Sequence, residues 1–147
     1  MSEHTAAVDW ERGDKPFGPD YDRTHVWTFD SGVTVPASSA PGLNGDPSRV
    51  DPEEALVAAL AGCHMMWFLF LAQAEGLVVD YYSDDAVGTM ERVDRGIQAI
   101  TRIELRPTVE WSGDAPTADV VDRLHHEAHR RCNIANSIKA EVTISSR

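Results

Sequence analysis

The chain has 147 residues, 42% hydrophobic and 25% charged, which suits one globular domain (1–147) long enough to bury its own core. Its 13 basic against 24 acidic residues leave a net charge of −11, so neither a nucleic-acid groove nor an anionic membrane surface is expected as a partner. Two cysteines cannot form a disulfide scaffold, and the opening MSEHTAAVDWERGDK lacks the apolar run of a secretory signal. A cytoplasmic location is the expectation.

The first 50 residues read as strand and turn. HVWTFDSGVTVPAS alternates apolar and polar residues around Asp30-Ser31-Gly32, a hairpin pattern. SSAPGLNGDPSR is a loop by its Pro, Gly, Asn and Ser content. A helix then opens at Asp51-Pro52-Glu53-Glu54: Asp51 as N-cap, Pro52 at the first helical position, two acids in the first turn. It is predicted to run to about Glu75, with Gly76 ending it. Leu77 to Arg92 looks extended. Ile100 to Trp111 reads as one strand, with Ile103, Leu105, Val109 and Trp111 on one face. Thr117 is placed to cap a second helix through Arg131. Ile138, Ala140, Val142 and Ile144 share a face of a last strand. This order predicts an α+β fold, with helices packed on an antiparallel sheet.

Ala55 to Ala72 carries no formal charge and reaches the lower length limit of a membrane span. His64 lies at its middle, acids flank both ends, and no Lys or Arg anchors either end. A helix apolar all round can equally be the covered central helix of a soluble fold, which is the expectation here.

Cys63 sits inside that helix, and Cys132 falls at the end of the second. Val121, Leu124, Ala128 and Cys132 form one inward stripe, so both thiols should meet the core. Free cysteines are among the most buried residues and often act as small hydrophobes, so placement alone leaves their role open. A peroxide-reducing thiol needs a cation or donor that favours the thiolate, a pocket for the peroxide, and a resolving thiol to trap the sulfenic acid. Spacing offers a competing zinc pattern. His125, His129 and Cys132 recur at helical intervals, and Cys63-His64 could add ligands from the other helix. Because the histidines sit among Arg123, Glu127, Arg130 and Arg131, that run reads better as a solvated face, and no metal is expected.

Taken together, DPEEALVAALAGCHMMWFLFLA (51–72), CNIANSIKAEVTI (132–144) and YDRTHVWTFDSG (21–32) resemble the OsmC/Ohr family of thiol peroxidases, the osmotically inducible and organic-hydroperoxide-resistance proteins. The resemblance implies an intertwined homodimer, with antiparallel sheets packed on long central helices, in which two cysteines reduce organic hydroperoxides, with hydrogen peroxide as a further candidate substrate, and no cofactor. An external dithiol, a lipoylated protein or another thiol, would recycle them. Carried over by position, Cys63 matches the peroxidatic cysteine, Cys132 the resolving cysteine, and Glu53 the acid that orients the catalytic arginine. Arg23 in YDRTH lies where the family supplies that arginine, with Arg12 in WERG as its rival. Met65, Met66, Trp67 and Phe68 would give the pocket an apolar lining. A non-peroxidatic small-ligand-binding or structural dimer is the alternative.

Helix geometry adds one expectation. Ten helical positions put Glu53 and Cys63 about 15 Å apart and roughly 80° different in direction. An arginine touching both is therefore expected to work across two antiparallel copies of the helix, in a composite site.

Overall fold

Strand β2 (His25–Phe29) turns back at Asp30-Ser31-Gly32 into β3 (Thr34–Ala37), as the alternation predicts. The turn closes with Gly32 N–H donating to the Phe29 carbonyl at 2.9 Å. β1 (Ala6–Asp9), which the sequence reading left out, pairs antiparallel with β2 and completes a three-stranded sheet. The computed structural model describes residues 1–146 and divides into two compact units, Met1–Ala55 and the chain from Leu56 onward.

Helix α1 spans Pro52–Ala74. Its entry is a reciprocal cap: Glu54 N–H donates to Asp51 Oδ1 at 2.7 Å, and Asp51 N–H donates to Glu54 Oε2 at 3.3 Å. Gly76 ends it with φ 75°, a left-handed conformation that a side chain resists. By length and composition α1 could cross a bilayer. Within the second unit, however, it buries Leu60, Cys63, His64, Phe68 and Ala72 against strands and against a second helix.

Each of the two long extended stretches is divided into two strands. Leu77–Arg92 becomes β4 (Val79–Asp84) and β5 (Val87–Asp94), and Ile100–Trp111 becomes β6 (Ile97–Leu105) and β7 (Pro107–Trp111). β4 pairs antiparallel with β7, and β5 antiparallel with β6, so the chain changes sheet at both breaks. The corner is tied where Arg106 N–H donates to Asp84 Oδ1 at 2.7 Å. Pro107, without an N–H, starts the strand after it, a position proline tolerates. The facing residues were placed correctly, but they serve two cores: Ile103 and Leu105 one, Val109 and Trp111 the other.

Helix α2 covers Ala118–Arg131. Thr117 precedes it without a side-chain cap; only its carbonyl joins, accepting from Val120 N–H and Val121 N–H at 3.0 and 3.1 Å. A 3₁₀ turn at Ala135–Ser137 follows, and the last strand β8 is shorter than its apolar pattern, Glu141–Ile144. It joins β6 in parallel, the one departure from antiparallel pairing among the named strands.

The second unit therefore has two neighbouring apolar clusters. One holds Leu60, Cys63, Ile103, Leu105 and Cys132, with Ile138, Ala140, Val142 and Ile144 packed on it. The other holds Phe68, Ala72, Leu124 and Ala128, with Tyr82, Val109 and Trp111 around them.

Candidate active site

The second unit brings the two thiols together. Cys63 comes from the middle of α1, and Cys132 caps the C-terminus of α2, its N–H donating to the His129 carbonyl at 3.2 Å. Both are reduced and buried, and they share one apolar cluster. Burial pushes the Cys132 thiol up to about 11, and a hydrogen bond with Cys63 adds to that shift. Ala135 N–H, at 3.4 Å from the Cys132 sulphur, works against it. Cys132 is therefore held as a thiol beside Cys63 in one apolar cluster.

A cavity of about 300 Å³ opens on Cys63 and is lined by Met66, Trp67, Phe70 and Asn133. Two of the four expected lining residues are there, Met66 and Trp67. Phe68 points elsewhere: it is fully buried in the other cluster, stacked on His125 with ring centroids 4.2 Å apart. Phe70 is the residue the sequence reading missed. Cys63, Met66 or Trp67, and Phe70 recur at i, i+3 or i+4, and i+7, a stripe that marks one helix face.

The remaining predicted residues lie in the first unit. Arg23 and Glu53 line one cavity of about 610 Å³, with Trp10, Phe17, Tyr21 and His25 among its walls. The Arg23 guanidinium donates to the carbonyls of Tyr21 and Pro19 at 2.8 and 3.1 Å and lies 4.4 Å from the Tyr21 ring centre. Arg12, its rival, donates to the Lys15 carbonyl at 2.9 Å on the exposed surface.

The histidines considered as zinc ligands are arranged differently. His64 and His125 hydrogen-bond each other, Nε2 to Nδ1 at 3.0 Å, with rings 5.3 Å apart and only 8° from parallel. Both are buried, and the outer nitrogens, His64 Nδ1 and His125 Nε2, have no partner. Burial pushes His64 down to about 4, with His125 and His129 adding repulsion. Burial also takes His125 down to about 4, against a weaker pull from Asp122. The pair is therefore neutral at pH 7. Among the described residues, no three His, Cys, Asp or Glu side chains converge as a metal ligand set.

Residues 45–147 match the model of the OsmC-like protein family. The chain belongs to that family. An OsmC-like protein of unknown function from Vibrio cholerae is 41% identical, with the whole of both chains covered and a TM-score of 0.94. The uncharacterized protein YmaD of Bacillus subtilis is 26% identical over 125 residues, 83% of each chain. An organic hydroperoxide resistance protein from Elizabethkingia anophelis shares the fold at 16% identity and a TM-score of 0.74, over 100% of this chain and 98% of its own. OsmC/Ohr membership and the mixed helix-and-sheet architecture thus stand as the sequence implied.

Proposed function

We infer that this OsmC-like protein is a cysteine-based peroxidase that reduces organic hydroperoxides. The observation that carries the reading is the buried, reduced Cys63 and Cys132 in one apolar cluster, with a largely apolar cavity opening on Cys63. Family relatives known as organic hydroperoxide resistance proteins support the substrate class.

The chemistry runs in three balanced steps. The Cys63 thiolate attacks the terminal oxygen of ROOH; the O–O bond breaks, RO⁻ takes a proton and leaves as ROH, and Cys63 becomes a sulfenic acid. The Cys132 sulphur then displaces hydroxide from that sulfenic acid, which leaves with a proton as water, and a disulfide forms. An external dithiol, of the lipoyl or thioredoxin class, reduces the disulfide and is itself oxidised. Hydrogen peroxide would follow the same steps with water as the leaving group. No cofactor and no metal enters. Met66, Trp67 and Phe70 favour an organic substituent over a strongly hydrated peroxide.

Arg23 and Glu53 complete the site. A guanidinium donates hydrogen bonds to a thiolate without supplying a proton at neutral pH, and a carboxylate can hold it in place. Their shared cavity supports Arg23 over Arg12 as the catalytic arginine. Helix geometry separates positions 53 and 63 by about 15 Å, so the arginine–glutamate half is assigned to a second copy of the chain, in the homodimer that proteins of this family generally form. The protein would work in the cytoplasm as one OsmC-like domain, with α1 as a core helix rather than a membrane span.

Peroxide consumption in the presence of a dithiol, measured for wild type beside Cys63→Ser, tests this reading. Consumption with loss of free thiol in the wild type alone is expected. Equal rates in both would favour a non-peroxidatic binding or structural dimer. Refolding Glu53→Ala together with Cys63→Ser tests the composite site: mixed dimers should recover activity from one intact site.

A further inference from the structure

The His64–His125 pair joins the same two helices that carry the thiols. On α1, Cys63 and His64 are consecutive and so point about 100° apart. On α2, His125 and Cys132 are seven residues apart, two turns, and so lie on nearly one face about 10 Å apart along the axis. The helices therefore meet at two polar points, thiol to thiol and imidazole to imidazole. Two such points fix both the sliding and the rotation of α2 on α1.

The surrounding contacts cannot do this. Phe68, Leu124 and Ala128 bury area, but apolar burial has no direction. The ion pair between these segments, Arg123 to Glu75 at 2.7 Å, is solvent-exposed at the far end of α1 and contributes little. The imidazole bond is buried, aligned and enclosed by Phe68, and two unpartnered nitrogens mark a pair that is retained despite its desolvation cost.

We propose that His64 and His125 are positioning residues for the resolving step: their hydrogen bond holds Cys132 in register with Cys63, and so sets how fast the sulfenic acid closes to the disulfide. The proposal rests on the peroxidase reading. It concerns only the second step, in which the Cys63–OH bond breaks, the Cys63–Cys132 bond forms and water leaves. The titratable groups bearing on the pair are His129 and Asp122 of α2, with Tyr82 of β4 beyond Phe68 and Asp84 beside Tyr82. β7 presents Trp111 to Phe68 and adds no charge there.

The test uses one equivalent of an organic hydroperoxide and measures two rates in the full-length protein: peroxide loss and disulfide appearance. The double variant His64→Leu/His125→Leu keeps the site apolar and filled. It should lose peroxide at the wild-type rate but close the disulfide roughly tenfold to a hundredfold more slowly, the size expected of a misplacement near 1 Å. His125→Asn retains a hydrogen-bonding atom near the Nδ1 position and should restore most of the rate; Arg123→Ala should leave both rates unchanged. In the wild type, closure should fall tenfold per pH unit with the Cys132 thiolate and more steeply only below about pH 4, where the histidines protonate, while circular dichroism still reports a folded chain. Wild-type closure in the double variant, or His125→Asn closing as slowly as it, overturns the proposal. If the double variant does not fold, a wild-type fall of only tenfold per unit below about pH 4 overturns it. No peroxide loss in the wild type would instead sink the peroxidase reading.

Discussion

Cys63 and His64 are adjacent in the chain, yet they serve two cores of opposite character. In the thiol core, the polar pair is Cys63 with Cys132, beside a cavity that reaches Cys63, whose exposed fraction is 9%. In the imidazole core, the polar pair is His64 with His125, at 0% and 3% exposure, stacked under Phe68. In the proposed reaction one pair changes its bonding, and the other keeps it. The difference lies in access rather than in the polarity of the surroundings, since both pairs lie among apolar side chains, Leu60, Ile103 and Leu105 with the thiols and Phe68 on His125.

The largest expected effect divides the two cores most sharply. Cys132→Ser should allow about one peroxide reduction per site and then leave Cys63 with two or three added oxygens, read by mass spectrometry. Turnover persisting in that variant would remove Cys132 from the chemistry. Next in size, Arg23→Ala should slow Cys63 oxidation roughly a hundredfold, the typical loss of one charge-stabilising donor. Arg12→Ala should stay within about twofold by the same assay; the reverse ranking would reassign the arginine.

The imidazole core predicts an acid weakness. Both histidines titrate near 4 in the folded chain against 6.5 when unfolded, so between those values the unfolded chain binds more protons. Stability is full above pH 6.5 and is lost as pH falls toward 4. Denaturant titrations at pH 7 and 5 should differ by about 2 to 4 kcal/mol for the two groups together. His64→Leu/His125→Leu should flatten that difference, and an unchanged slope would contradict the assignment. The smallest effect is at the thiol core's rim. A Cβ at Gly88 would lie 2.6 Å from Val57 Cγ2, and Val57 is stiff at χ1. Gly88→Ala should cost about 1 to 3 kcal/mol and lower the melting temperature by several degrees.

Much of this was legible in the sequence, for local reasons. Asp51-Pro52-Glu53-Glu54 and Gly76 delimit α1 because capping and left-handed φ are decided by neighbouring residues. The inward parity of Ile103 to Trp111 was readable for the same reason. The change of sheet at Asp84–Arg106 was not, since it depends on a hydrogen bond from the Arg106 N–H to the Asp84 carboxylate, 22 positions apart. The family resemblance named Cys63 and Cys132, and their contact follows from packing that no spacing reveals. The solvated-face reading holds for His126, which is exposed, but not for His125, which is buried although it shares its helix with Arg123, Glu127, Arg130 and Arg131. Those residues take the outer face, and Glu127 is bonded by both Arg130 and Arg131.

The central claim is that Cys63 and Cys132 form one redox couple. Treating the reduced wild-type protein with one equivalent of an organic hydroperoxide, alkylating the remaining thiols and mapping the peptides by mass spectrometry tests it most directly. The account predicts that both cysteines escape alkylation together and appear as a single peptide pair joined by a Cys63–Cys132 disulfide, released by a dithiol. Two alkylated cysteines with the peroxide left unconsumed would contradict it.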